Sequence, residues 1–488
     1  MTLLVQLNSL EATGLIRLSA VLPELEYLFR HALVQDAAYG SLLKTDRRHL
    51  HQSVGQALEQ LYPERLAEIA STLALHFEKA DHHDKAILYF TLAGDRARAS
   101  YANNEAIQFY QSALTHIEAV GNRDEQRCQL YESLGDLVNL IGQRETARQY
   151  FMQAIAALAV PLGQARLYRK IAKSLVDDRS YVEAEQSFDK GEAILQRSPS
   201  NASEWHQESI QNQLDRVWLY YLQGQPDQVE KIVQKLEPWI EANGSNPQKA
   251  QFYTGQTQGS LQRRRYEITP AQLALSHKGL EAARASDDPN LLAEMHFGYG
   301  FHLLWYGSWS EAETELEAAM ALSKKTGNTV NFVRAFTYLI LLHRVRKDIP
   351  KLQELLPEWL RTLNAAGAKE YLPYMIAINA WLALQANRMD EAGKLAQEAL
   401  VEWESLQGAN PFKWLARWIL LYLAFQQNDF SAAIEQAKAM LLPSQQKLPE
   451  DVTAALEAVV TAGETGQPDT AQQPLVEVLR LATEKSYL

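Results

Sequence analysis

Side chains that can bind a metal or transfer protons are concentrated in one short stretch of the chain. His76, Asp81, His82, His83 and Asp84 lie close together in the sequence. Imidazole and carboxylate groups bind zinc and related ions when they occur at dedicated spacings such as H-E-x-x-H. The spacing here matches no such motif, and the stretch falls in a polar turn between two predicted helices. It predicts a solvated turn, with a metal site as the alternative.

Catalytic motifs are absent from the rest of the sequence. There is no G-x-S-x-G, no paired C-x-x-C and no G-x-x-x-x-G-K-[ST] phosphate-binding loop. The sequence therefore predicts neither an enzyme nor a cofactor. The single cysteine, Cys128, permits no internal disulfide and is predicted to be a core or semi-buried thiol. This cysteine usage suits a reducing compartment, so we expect a cytoplasmic location.

The charge distribution argues against two classes of partner. The chain has 47 basic and 59 acidic residues, a net charge of -12, and no extended Lys/Arg stripe, so binding of nucleic acid by a basic face is not expected. No apolar run reaches about 18 residues, so no membrane span is predicted. The basic triplet Arg263, Arg264 and Arg265 precedes Tyr266. It suits either a clamp for an acidic group or a solvated helix end.

The elements that carry these residues follow one repeated pattern, a pair of small or apolar residues seven positions apart. Successive pairs begin 20, 41, 37, 45, 43, 40, 40, 40, 41 and 38 residues apart, and this regularity predicts a helical solenoid. The pairs are Ala86/Ala93, Ala106/Ala113, Ala147/Ala154, Ala184/Gly191, Val229/Leu236, Gln272/Gly279, Ala312/Ala319, Leu352/Trp359, Ala392/Ala399, Ala433/Met440 and Ala471/Val478.

A spacing of seven is two helical turns, so both members of a pair lie on one face of a helix. Small residues there allow a neighbouring helix to approach closely, and each helical hairpin must stack on the next to bury its apolar face. Residues 1–62 differ, because GLIRLSA and LEYLFR are two short alternating segments that predict a β-hairpin before the helices begin. We therefore predict two regions, residues 1–62 and the helical repeats of residues 63–488.

Two longer segments resemble a known family. The stretch ELEYLFRHALVQDAAYGSLLKTDRRHLHQSVGQALEQ, followed by LALHFEKADHHDKAILYFTLAGDRARASYANNEAIQFYQSAL, is similar to a junction in bacterial signal-transduction ATPases with numerous domains (STAND proteins). There it joins the end of a winged-helix domain to a tetratricopeptide sensor. The resemblance covers roughly residues 20–120. It implies an all-α, tetratricopeptide-like right-handed α-solenoid with a small N-terminal winged-helix remnant, made of a short β-hairpin plus helices.

The same resemblance suggests a role for His31. In the family, a histidine in an FRH or MHD-like motif lies near the phosphates of bound ADP. His31 occupies that place in FRHALVQD, but Ala32 follows it where an aspartate is usual, and the chain lacks the nucleotide-binding module. His31 is therefore either a nucleotide-sensing contact for an ATPase module absent from this chain or a histidine that satisfies local backbone.

The resemblance also implies where a partner would bind. In tetratricopeptide arrays the first helix of each hairpin has a small residue about twelve positions before the first residue of the pair on the second helix. Residues one and four positions after that small residue line a concave groove. Aromatic and arginine side chains recur at these positions, and such side chains anchor interfaces. Packing within the solenoid is the alternative reading. The groove residues so predicted are Lys173, Trp218, Tyr221, Arg264, Phe301, Arg344, Trp381, Tyr422 and Phe425.

The expected function is that of a non-catalytic arm that binds a protein, a peptide or a small-molecule inducer in its groove. The resemblance implies the sensor arm of a signal-transduction ATPase. Two alternatives stay open. The chain is a portion of an adenylate or guanylate cyclase-linked ATPase, or it is a stand-alone scaffold that oligomerises.

Overall fold

The computed structural model describes residues 3–20, 26–197, 202–464 and 468–488. Over these residues the chain forms twenty-four α-helices and one two-stranded sheet. It divides into two compact units, residues 1–130 and residues 131–488. The predicted all-α solenoid class is confirmed. The boundary predicted at residue 62 marks a change of sequence pattern and stays a prediction.

The first unit contains the hairpin and the first helices. Strands β1 and β2 are antiparallel, with Ile16 opposite Phe29, as the alternating segments predict; the winged-helix origin of this hairpin stays a prediction. The elements are α1 (Leu3–Ala12), β1 (Ile16–Ala20), β2 (Glu26–Phe29), α2 (Ala32–Ser41), α3 (Lys44–Leu61), α4 (Ala70–Lys79), α5 (His83–Ala99) and α6 (Asn103–Val120).

The second unit is a series of helical hairpins, and the helix α7 (Asp124–Leu140) leads into it. The helices that follow are α8 (Arg144–Ala157), α9 (Pro161–Asp177), α10 (Tyr181–Arg197), α11 (Ser203–Gln223), α12 (Pro226–Asn243), α13 (Asn246–Arg263), α14 (Pro270–Arg284), α15 (Pro289–Tyr306), α16 (Trp309–Thr326), α17 (Thr329–Val345), α18 (Ile349–Ala366), α19 (Leu372–Gln385), α20 (Met389–Ser405), α21 (Trp414–Gln426), α22 (Phe430–Leu441), α23 (Glu450–Glu464) and α24 (Gln472–Glu484).

The predicted pairs of small residues fall where the repeat requires them. They lie on α5 and α6, and then on every even-numbered helix from α8, with Ala471 at the start of α24. Every member of every pair is buried. Each even-numbered helix therefore packs this face against its neighbours, and the odd-numbered helices are the first helices of the hairpins.

Local signals set the helix ends. Ser245 and Thr269 each accept a hydrogen bond from the backbone of the third helical residue in a reciprocal capping box. Gly224 and Gly307 end α11 and α15 with φ of 74° and 98°, a left-handed conformation that costs glycine little. Both glycines therefore end a helix as C-terminal caps.

Candidate functional site

A cavity of about 360 Å³ lies inside the second unit. Its wall is built from the first helices of successive hairpins, α7, α9, α11, α13, α15, α17 and α19, together with residues 409–411. The small residues of the even-numbered helices pack against neighbouring helices, and the first helices face the cavity. Cavities of this size that combine apolar surface with a few polar groups are typical of ligand sites.

One set of wall residues repeats with the period of the solenoid. Positions forty apart on five successive first helices all line the cavity, and they bring an apolar, a hydroxyl, an acidic, a basic and an aromatic side chain into one enclosure. They are Leu214, Thr254, Glu294, Arg334 and Tyr374.

The cavity is partly enclosed because the second unit contacts itself across large sequence distances. The backbone N–H of Ala409 donates to the carbonyl of Leu222 at 2.8 Å. Arg144 forms an ion pair with Glu370 at 3.3 Å, across 226 positions of sequence. In this part of the chain, the predicted concave groove takes the form of a partly enclosed cavity.

Aromatic rings form much of the wall. Trp218 stacks on Tyr221 with ring centroids 5.2 Å apart, and Phe301 meets Tyr338 edge-on at 5.0 Å. Burial raises the pKa of Tyr221 and Tyr338 well above the ordinary value, so both hydroxyls stay protonated. The wall thus offers flat apolar surface together with neutral hydrogen-bonding groups.

Charged side chains also reach the cavity. The Lys173 ammonium lies 3.5 Å from Asp215, whose other carboxylate oxygen accepts from Arg169 at 2.7 Å. The carboxylate of Asp215 raises the pKa of Lys173, which therefore stays charged. The Arg334 guanidinium lies over the rings of Trp218 and Phe297, at 5.2 and 5.5 Å from their centroids.

Several buried polar atoms of the wall have no hydrogen-bond partner within the part of the chain that the structure describes. They are Oδ1 of Asn139, Oδ1 of Asn331 and Nε2 of His302. The Nδ1 of His302 lies 2.6 Å from the carbonyl of Gly298, and burial lowers the pKa of His302 to about 4. The ring is therefore neutral at pH 7, with Nδ1–H as the donor and Nε2 as a free acceptor. Unmatched acceptors of this kind favour a ligand that brings N–H or O–H groups.

The predicted groove residues separate into two groups. Lys173, Trp218, Tyr221 and Phe301 line the cavity together. The remaining five do not line it. Arg264 is exposed and pairs with Glu267 at 3.0 Å, and Arg344, Trp381, Tyr422 and Phe425 belong to the C-terminal part of the unit, where Arg344 and Trp381 are fully buried.

The chain's own C-terminal segment covers Arg344. This guanidinium donates to the backbone carbonyls of Ser486 and Tyr487 and lies 4.8 Å from the ring centroid of Trp381. The ring of Tyr487 stacks on Trp418 at 5.4 Å. Burial lowers the pKa of Arg344 to about 9. Arg344 and Trp381 therefore hold the end of the chain in this structure.

The predicted groove residues do not include other side chains that line the cavity. The predicted groove positions, one and four residues after the small residue of each first helix, do not include Glu294, Asn331 or Arg334. The forty-residue spacing of Thr254, Glu294 and Arg334 was the signal that could have found two of them, because residues at one repeat position share one environment.

In the first unit, the histidines occur in pairs instead of as a ligand set. His76 meets His51 with their Nδ1 atoms 3.0 Å apart, and His83 meets His116 at 2.9 Å. Among the described residues, no three His, Cys, Asp or Glu side chains are arranged to hold a metal. His31 is exposed and precedes α2, and its side chain makes no capping hydrogen bond.

No protein-family model matches the chain. Over 107 residues it is 31% identical to the uncharacterized protein R02095 of Rhizobium meliloti (strain 1021); this match covers 22% of the chain and 10% of that protein. The chain thus spans about a tenth of the length of the curated relative that it matches.

Solved structures that are similar to the chain include the following three proteins. A Rap protein complexed with competence and sporulation factor is 12% identical, with a TM-score of 0.47, over 73% of this chain and 96% of that chain. Cut9, crystallised with Hcn1, is 14% identical, with a TM-score of 0.39, over 93% and 96%. The STAND protein PH0952 of Pyrococcus horikoshii, which has a tetratricopeptide repeat sensor, is 15% identical, with a TM-score of 0.38, over 90% and 58%.

The second unit by itself defines the class of protein. It is a tetratricopeptide-like α-solenoid whose first helices surround a cavity. Over the described residues, no helix is both long enough and apolar enough to cross a membrane.

Proposed function

We propose that the chain is a non-catalytic sensor that binds a short peptide or a small organic molecule in the cavity of its second unit. The observation that carries this proposal is the cavity wall. Five successive first helices contribute to it at forty-residue spacing, and its polar atoms at Asn139, Asn331 and His302 lack partners. Groups that are buried without partners are costly, and a ligand that supplies the partners would offset this cost.

The position of the cavity suggests how a bound ligand would be sensed. A ligand there touches helices from several hairpins at once, so it would stabilise one relative arrangement of those hairpins. Each hairpin of a solenoid contacts mainly its neighbours, and small changes at each step add up along the array. We propose that the resulting change is read by a signal-transduction ATPase module in the cytoplasm. This finer role is supported by the resemblance of the FRHALVQD segment to STAND proteins.

Gly298 provides a direct test, because an added Cβ at this wall position meets nothing within 4 Å. Gly298→Leu is expected to occupy the cavity without disturbing the surrounding side chains. The probes are the twenty amino acids and a pooled pentapeptide library, and retention is measured by equilibrium dialysis and mass spectrometry. We expect at least one probe to be retained by the wild-type chain and roughly tenfold or more weaker with Gly298→Leu, through direct steric exclusion.

Two variants control this experiment. Gly298→Ala removes the same glycine and leaves the cavity open, so binding should persist. Gly40→Leu makes the same exchange on α2 in the first unit, where an added Cβ also meets nothing within 4 Å. Equal retention by Gly298→Leu and the two controls would show that the cavity is not the binding site.

A further inference from the structure

Most charged groups of the cavity are already paired within the protein. The ammonium of Lys173 lies 3.5 Å from Asp215, and the carboxylate of Glu370 lies 3.3 Å from Arg144. Arg179 donates to the backbone carbonyl of Gln407 at 2.5 Å. These groups need nothing from a ligand.

Arg334 is different. Across the described ranges, no carboxylate lies within ion-pair distance of it, and its Nε has no hydrogen-bond partner. The rings of Trp218 and Phe297 lie against the guanidinium. These contacts hold a planar cation in place at the wall. The carboxylates of Asp177 and Glu294 raise its pKa, but neither lies within ion-pair distance of it. A fixed guanidinium of this kind suits a carboxylate.

Glu294 is the complementary group. It lies forty residues before Arg334, at the equivalent position of the preceding first helix, and it forms no ion pair or hydrogen bond among the residues described. Burial raises its pKa, although Lys173 and Arg334 act in the opposite direction. Asp177, a second wall carboxylate, likewise lacks an ion-pair partner in the described part of the chain. The unpaired acidic groups thus suit an ammonium.

Arg334 and Glu294 form no ion pair with each other, although each shifts the pKa of the other. Buried charges without direct partners are unfavourable. A ligand that carries both a carboxylate and an ammonium would pair with Arg334 and Glu294 at once. A ligand with only one of these charges would leave one of the two residues without a partner.

We propose, on the basis of the proposed function, that the cavity binds a zwitterion with an aromatic side chain. Arg334 holds its carboxylate, Glu294 holds its ammonium, and the rings of Trp218, Phe297 and Tyr338 contact its apolar part. The free acceptors on Asn331 and His302 receive its remaining N–H groups. This is the chemistry of a free aromatic amino acid or of a short peptide with both termini unblocked.

The test compares probes that differ by one charge, using the full-length chain and isothermal titration calorimetry. The probes are L-phenylalanine, L-phenylalaninamide, which lacks the carboxylate, and 3-phenylpropanoate, which lacks the ammonium. A pentapeptide with a phenylalanine at each end is added in free, N-acetylated, C-amidated and doubly blocked forms, which separates the two sources. In one of the two sets, removing either charge should weaken binding roughly tenfold to a hundredfold.

Two variants assign each charge to its residue. With Arg334→Gln, the advantage of L-phenylalanine over its amide should disappear. With Glu294→Gln, the advantage of L-phenylalanine over 3-phenylpropanoate should disappear; for a peptide ligand, the corresponding blocked peptides are compared. Arg264→Gln, which removes an exposed arginine, should change neither ratio. Circular dichroism verifies that the variants remain helical.

The outcomes separate this proposal from the proposed function. If singly charged or blocked probes bind as well as the zwitterions, the charge assignment is wrong and the cavity remains a binding site. If no library member binds in a Gly298-dependent way, both proposals fail.

Discussion

Gly135 shows how closely a first helix approaches its partner. A Cβ added at Gly135 on α7 would lie 2.4 Å from the ring of Phe151 on α8, and Phe151 is buried. We expect Gly135→Ala to lower the free energy of unfolding of the second unit by about 1–2 kcal/mol, because overpacking outweighs the gain in helix propensity. Urea unfolding followed by tryptophan fluorescence measures this, since all ten tryptophans lie in the second unit.

The same substitution at Gly298 is the matched control. Because an added Cβ there meets nothing within 4 Å, only the helix-propensity term acts, and Gly298→Ala should raise the free energy of unfolding by about 0.5–1 kcal/mol. If the two variants shift stability in the same direction, the packing assigned to Gly135 is wrong.

The packing residues could be predicted because every repeat states the same local requirement. A small residue is needed wherever two helices come close. Gly135 and its counterparts at Gly94 and Gly300 each lie twelve positions before the first residue of the pair on the next helix. Glu294 and Arg334 carry no such signal. A charged residue on a helix reads in the same way whether it faces solvent or a cavity, and only the arrangement of several helices shows which is the case.

At the scale of elements, the C-terminal segment acts as a cover for the end of the solenoid. The carbonyls of Ser486 and Tyr487 are the acceptors for the buried Arg344. We expect deletion of residues 486–488 to lower the free energy of unfolding of the second unit by about 3 kcal/mol, because it leaves a buried cation without partners. Urea unfolding measures the loss.

Arg344→Met separates the charge from the packing. Without the guanidinium, the deletion removes the contacts of Tyr487 with Trp414 and Trp418 and the burial of Leu488, but leaves no buried charge unpaired. The same deletion should therefore cost less than half as much in the Arg344→Met chain as in the wild-type chain. Equal costs in the two backgrounds would contradict the role given to the carbonyls.

The repeat register placed Arg344 and Trp381 in the predicted groove. An arginine among aromatic residues fits a binding surface and a covered core equally well from its spacing alone. The distinction depends on where Ser486 and Tyr487 lie, and their pairing with Arg344 spans 142 and 143 positions. Helix periodicity contains no information on such pairings.

At the scale of the molecule, the closure of the cavity is the feature that the sequence could not predict. The repeat predicts each hairpin and its neighbours, but the ion pair between Arg144 and Glu370 depends on rotations summed over many hairpins. A small difference in each rotation would separate these residues. The same local packing of hairpins is therefore compatible with the predicted groove and with the cavity of the second unit.

The stability of the whole chain should depend on pH through its buried histidines. Burial lowers the pKa values of His51, His76 and His116 in the first unit and of His302 and His343 in the second. A histidine whose pKa is lower in the folded state binds fewer protons there than in the unfolded chain. It contributes stability that is complete above the ordinary pKa of about 6.5 and is lost as the pH falls toward the folded pKa.

His302 has the best-defined range, because its pKa is lowered to about 4. Between pH 6.5 and 4 it should remove about 3 kcal/mol from the free energy of unfolding of the second unit. We expect His302→Gln, which cannot become charged and retains a side-chain donor for the carbonyl of Gly298, to show a shallower decline. Urea unfolding of both chains at pH 7.5, 6.5, 5.5 and 4.5, followed by tryptophan fluorescence, measures the difference. Carboxylates and other histidines titrate alike in both chains, so their effect cancels. Parallel pH profiles would show that folding does not lower the pKa of His302.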